Sequence, residues 1–106
     1  MSRRWPRSPF VAIVIAADPS SNIAIAGKTT NISLGGCHID SQSQLATGTT
    51  IAIELFHEGE SFHPAGEIAY RKFAGGMGVR FTQVDHANHQ MLARWIEALQ
   101  TEPSHA

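Results

Sequence analysis

Phe10-Val11-Ala12-Ile13-Val14-Ile15-Ala16-Ala17, followed by Asp18-Pro19-Ser20-Ser21-Asn22 and then by Ile23-Ala24-Ile25-Ala26, reads as a β-hairpin. The first run is apolar and rich in β-branched Val and Ile, which fit a pleated, buried surface. The second is a cluster in which every residue favours a turn. The third alternates Ile with Ala, and Gly27 to Thr30 carry the returning arm towards Asn31. Met1 to Arg7 before the apolar run has the outline of a secretory signal, but the run spans only residues 10–17 and ends at Asp18-Pro19 rather than at a small-residue cleavage site. It is also far below the roughly 18 apolar residues needed to cross a bilayer. Strand is the reading that composition and punctuation support.

Outward from this hairpin the period of two continues. Gly35-Gly36 precedes a third strand at Cys37-His38-Ile39, closed by the polar stretch Asp40 to Gln44. Thr49 to Phe56 places Ile51, Ile53 and Leu55 on one face, and Glu58-Gly59-Glu60 leads into a fifth strand from Phe62 to Arg71. Pro64 lacks a ladder donor, so that part of the fifth strand is expected at an edge or bulge. After Gly75-Gly76, Met77, Val79 and Phe81 alternate with Gly78, Arg80 and Thr82. Asp85 then caps a helix whose Leu92, Trp95, Ile96 and Leu99 share one face, with Pro103 beyond its end. The expected fold is all-β with one C-terminal helix: a six-stranded antiparallel β-barrel capped by the helix. Residues 1–102 are expected to form a single domain, with a flexible arginine-rich arm over 1–8, the barrel over 9–83 and the helix over 85–100.

Composition narrows the function. The chain has 106 residues, 42% hydrophobic and 16% charged, and a formal net charge of −1. No global positive field draws it to nucleic acid or anionic membrane, so an anion site must be local. Arg3, Arg4 and Arg7 supply that site, with no acid before Asp18. The lone Cys37 excludes an internal disulfide and reads as a buried thiol. The acids are scattered without the pairing that catalysis requires, so no enzyme is expected. His86 and His89 face one side of the helix, but nothing is spaced to complete a metal site, and no cofactor or metal is expected.

The hairpin gives the arginines a partner. Position 19 is midway between Arg7 and Asn31, so closure of the hairpin is expected to fold Asn31 back beside Arg7. Guanidinium forks match phosphate oxygens, or the O6 and N7 acceptors of guanine, and their faces stack on bases. Asn31 donates and accepts towards a base edge, Ser33 donates to base or phosphate, and Gly35-Gly36 lets backbone approach closely. A purine nucleotide suits this set better than a metal.

Arg3-Arg4-Trp5-Pro6-Arg7 resembles the RxxxR motif of PilZ domains, and Asn31-Ile32-Ser33-Leu34-Gly35-Gly36 resembles their [D/N]xSxxG motif. The order and separation of the motifs, the strand count and the helix after Gly76-Met77-Gly78-Val79-Arg80-Phe81 extend the resemblance over nearly the whole chain. It implies a bacterial cytoplasmic receptor for cyclic di-GMP that acts on a protein effector. The principal ligand residues carried over are Arg3, Arg7, Asn31, Ser33 and Gly36, with Arg4, Gly35 and Tyr70 as secondary contacts. Tyr70 stands where some relatives place an aromatic against a guanine. The alternative is a PilZ-type interaction module that ignores nucleotide. A DNA- or RNA-binding barrel, which needs a basic groove lined by exposed aromatics, fits the near-neutral charge poorly, and no membrane insertion is expected.

Overall fold

The computed structural model describes residues 8–73 and 75–101. Strands β1 (Ser8–Pro9), β2 (Ile13–Asp18), β3 (Ile23–Ile32), β4 (Gly36–Asp40), β5 (Thr50–His57), β6 (Glu60–Phe62), β7 (Ala65–Arg71) and β8 (Met77–Gln83) precede helix α1 (His86–Thr101). All pairings are antiparallel. The order β3-β2-β5-β7-β8-β4 returns to β3, so the sheet closes into the six-stranded barrel expected from the sequence. β1 and β6 add no further staves. β1 lies along the same edge of β3 as β2, and β6 continues β7 along β5.

Both interruptions have a chemical cause. Leu55 opposite Phe62 and Ala52 opposite Ala65 keep one register across the β6–β7 gap. Within that gap Pro64 has no N–H to give, but its carbonyl still accepts from Ile53 N at 3.0 Å. The adjacent His63 N–H donates instead to Asn88 Oδ1 of the helix at 2.9 Å. Between β1 and β2 the buried Thr29 hydroxyl takes over the ladder: Ala12 N–H donates to it at 2.9 Å, and it donates to the Phe10 carbonyl at 2.8 Å. A side chain thus keeps two buried backbone groups satisfied where regular pairing fails.

The irregularity offsets β1 by one residue from the register that β2 keeps against β3. Ile13 opposite Lys28 and Asp18 opposite Ile23 centre the turn between Ser20 and Ser21, not at Pro19. Asp18 organises that turn: its carboxylate accepts from the Ser20 amide and hydroxyl and from the Ser21 hydroxyl. These bonds, the Ser20 hydroxyl foremost, hold the Asp18 carboxyl below its ordinary value. Asn22 closes the turn at φ +63°, a conformation Asn tolerates better than most residues.

Inward-facing Phe10, Val14, Ile39, Leu55, Phe62, Ile68 and Met77 belong to one continuous core. Helix α1 seals one end of it. The Asp85 carboxylate caps the helix by accepting from Asn88 N at 2.8 Å, as the sequence predicts. Leu92, Trp95 and Ile96 are buried beneath the helix, and each such side chain contributes about 1.5–3 kcal/mol. The Trp95 ring lies 5.6 Å from Phe10 and 5.9 Å from Phe62, centre to centre. Its indole N–H donates to Glu60 Oε1 at 2.7 Å, and Arg94 reaches the other oxygen at 3.0 Å. The indole bond, then the arginine, lowers the Glu60 carboxyl below its usual range. A carboxyl whose folded pKa is depressed stabilises above its unfolded value, and that contribution is lost as pH falls through the folded one.

Candidate functional site

Asn31 and Tyr70 face the outside of the barrel because two β-bulges turn them there. Thr29 opposes Ile39 and Asn31 opposes His38, which leaves Thr30 as an extra residue in β3. Ile68 opposes Val79 and Tyr70 opposes Gly78, which leaves Ala69 extra in β7. Strict alternation would send Asn31 inward with Thr29 and Tyr70 inward with Ile68; each inserted residue reverses the parity. Ile32 and Ile68 stay fully buried while Asn31 is half-buried and Tyr70 is 40% exposed.

The two residues end on one row across four strands: Asn31 opposite His38, His38 opposite Gly78, Gly78 opposite Tyr70. The Tyr70 ring covers Gly78 so closely that a Cβ there would lie 2.1 Å from it. An aromatic over a cross-strand glycine shields backbone that would otherwise be bare. The same ring runs nearly parallel to the His38 imidazole, with centroids 6.2 Å apart and 29° between planes. His38 is only 6% exposed beneath this cover, and its Nε2 lies 3.8 Å from Asp40 Oδ1. The row therefore carries an amide at one end and a flat aromatic at the other.

The loop from Ser33 to Gly36 stands beside Asn31. Ser33 is 2% exposed, and its hydroxyl accepts from Gly35 N at 3.1 Å and Gly36 N at 3.2 Å while lying 3.3 Å from the Gly36 carbonyl. Ser33 N–H donates to that same carbonyl at 2.8 Å, and Phe81 N–H fastens the Gly35 carbonyl at 2.9 Å. These bonds fix the backbone of the loop; the described bonds of the Ser33 hydroxyl stay within it. Gly36 is demanded by packing, since a Cβ would lie 2.0 Å from the Val79 carbonyl oxygen. On the next outward row Arg80, opposite Gly36, is ion-paired with Glu67.

Of the sequence candidates, Asn31, Ser33, Gly35, Gly36 and Tyr70 are brought to one side of the barrel. Arg3, Arg4 and Arg7 lie outside the described residues. Ser8, assigned by sequence to the arm, is in β1 opposite Ile32, and Pro9 is the residue opposite Asn31. The expected pairing of Arg7 with Asn31 is thus displaced, because the turn centre moves past Pro19 and the backbone around Phe10–Ala12 is irregular. The chain still enters the barrel beside the second motif. Sequence reading passed over His38 and Gly78. An isolated glycine within a strand pattern signals a close approach, and Gly78 carries that signal.

No group of three or more His, Cys, Asp or Glu able to hold a metal occurs among the described residues, and no helix there is long and apolar enough to cross a membrane.

Comparison with protein families matches residues 2–98 to the PilZ domain. No curated protein matches the chain. Among solved structures, the PilZ domain of CeSA from a cellulose-synthesising bacterium is 21% identical with a TM-score of 0.72, covering 90% of this chain and 98% of that one. The PilZ domain of YcgR from Escherichia coli, solved with c-di-GMP, is 19% identical with a TM-score of 0.75, covering 96% and 94%. The Bacillus subtilis inhibitor of motility MotI is 15% identical with a TM-score of 0.76; the match covers 97% of this chain and 53% of that one, about half its length. At these identities the structures establish the fold.

Proposed function

Given that the chain belongs to the PilZ domain family, we propose that it is a receptor for cyclic di-GMP that passes the state of the messenger to a partner protein in the bacterial cytoplasm, without catalysis. The observation that carries this reading is the single outward row of Asn31, His38, Gly78 and Tyr70, flanked by the Ser33–Gly36 loop and by β1. Arg7 directly precedes β1, so the guanidinium donors are joined covalently to the strand that runs beside Asn31.

Each group has a distinct task in this reading. Arg3 and Arg7, with Arg4 in support, grip phosphate oxygens and the Hoogsteen edge of guanine through paired N–H donors. Asn31 addresses a base edge. Tyr70 offers a flat face on which a base stacks. Ser33 shapes the loop so that the Gly35 and Gly36 backbone comes close to the ligand without an intervening side chain. The near-neutral total charge suits a receptor whose anion recognition is confined to one short segment.

Titration calorimetry with cyclic di-GMP and cyclic di-AMP tests the reading. Saturable binding that prefers the guanine ligand is expected, and Arg7→Ala should lose about 2–5 kcal/mol, more than a tenfold change in affinity. No heat with cyclic di-GMP would overturn the receptor, and unchanged binding by Arg7→Ala would overturn the assignment of that residue. The second reading, a PilZ-type interaction module indifferent to nucleotide, is favoured by the exposed apolar side chains Val11, Ile13 and Phe56; it predicts protein capture without any nucleotide response.

A further inference from the structure

The outside of β2 and its two neighbours is an apolar surface with a charge arrangement of its own. Reading across β3, β2 and β5, one outward row is Lys28, Ile13 and Phe56, and the next is Ala26, Ile15 and Glu54. A third row, Ala24, Ala17 and Ala52, is alanine throughout. Val11 extends the surface at 71% exposure, and Ile13 itself is 58% exposed although it lies in the middle of a sheet. Of nine outward positions two are charged: a cation on the β3 side and an anion on the β5 side. A contiguous apolar patch with a polar rim marks an interaction surface rather than ordinary scatter.

We propose that this face is the interface of a weak symmetric homodimer, in which two copies pack β2 over β2 and the long Lys28 side chain of each protomer reaches diagonally, one row along, to Glu54 of the other. In an isologous interface the two-fold axis lies within the contact plane. An axis running roughly along β2 exchanges the β3 side of one copy with the β5 side of its partner, so the cationic edge meets the anionic edge twice. A lipid surface would call for several cations here, and the face has one. The third row has only methyl groups, which lets the two sheets approach to the usual spacing of about 10 Å. A net charge of −1 adds little repulsion between copies.

Size sets the strength. Three strands about 4.8 Å apart and three rows about 6.8 Å apart cover roughly 300 Å², well under the ~800 Å² per partner of a standard stable interface. The dimer is therefore weak and concentration-dependent.

Sedimentation equilibrium of the full nucleotide-free chain, from about 1 µM to 1 mM, tests the proposal independently of the receptor reading. The wild type should pass from monomer to dimer, and Ile13→Glu should stay monomeric with its unfolding transition retained. Lys28→Glu should weaken association several-fold, and adding Glu54→Lys should restore it to within about twofold. A wild type that remains monomeric, a dimer indifferent to Ile13→Glu, or a double variant no tighter than Lys28→Glu would each overturn it.

Discussion

The two halves of the barrel exterior are built from the same kind of antiparallel pairing and differ in regularity. The wall of β2 and β5 against the upper part of β3 holds one register without a bulge from Ile13 to Ala17, and six of its nine outward side chains are isoleucine or alanine, the others being Lys28, Glu54 and Phe56. The wall of β4, β8, β7 and the lower part of β3 has bulges at Thr30 and Ala69 and a further register shift between Ala65 and Gly66. That half carries the amide, the imidazole, the aromatic ring and the glycine loop. A regular ladder gives a uniform surface suited to another surface. An irregular one re-aims individual side chains, as a small polar ligand requires.

The sharpest way to break this contrast is at Gly36. Its missing Cβ is enforced by backbone, the Val79 carbonyl, which cannot rotate away as a side chain would. Gly36→Ala should cost about 3 kcal/mol in denaturant unfolding, at the upper end of the range for overpacking. A loss below about 0.5 kcal/mol would show that the β4–β8 contact is soft. Tyr70→Ala comes next. It uncovers Gly78 and His38 and removes the stacking face, so nucleotide affinity should fall by about 1–2 kcal/mol in calorimetry while stability falls less. Equal affinity for both proteins would detach Tyr70 from the ligand and leave it as a cover for Gly78. The smallest effect is expected from Ile13→Ser on the smooth wall, within about 0.5 kcal/mol in stability and without change in nucleotide affinity at dilute protein. A clear drop in affinity there would mean that the two halves do not divide the work.

Much of the architecture was legible because local rules agree with the fold. Alternation located six strands, Asp18 to Asn22 marked the turn and Asp85 marked the helix start, whereas Pro64, expected at an edge or bulge of one strand from Phe62 to Arg71, instead falls in an in-register gap that divides that strand. The site was legible in part. Asn31, Ser33 and Gly36 announced themselves as a motif, but the reason Asn31 faces outward was hidden, since no residue type at Thr30 or Ala69 encodes an insertion. It arises from competition between burying Thr29 with Ile32 and keeping the pairing to β4. The exchange of ladder bonds for the Thr29 hydroxyl was equally invisible, because it joins residues 17 and 19 positions apart. The Tyr70–Gly78 contact depends on a cross-strand register that strand periods alone do not specify.

Trp95 touches Phe10, where the chain leaves the arginine segment, and hydrogen-bonds Glu60 at the opposite hairpin. The only other tryptophan is Trp5, within the arginine segment itself. The protein thus carries two intrinsic fluorophores, one in the segment proposed to contact the ligand and one at the seat of the helix. Ultraviolet emission can report on both segments without any attached dye, and replacing one indole at a time assigns the optical signal to its source.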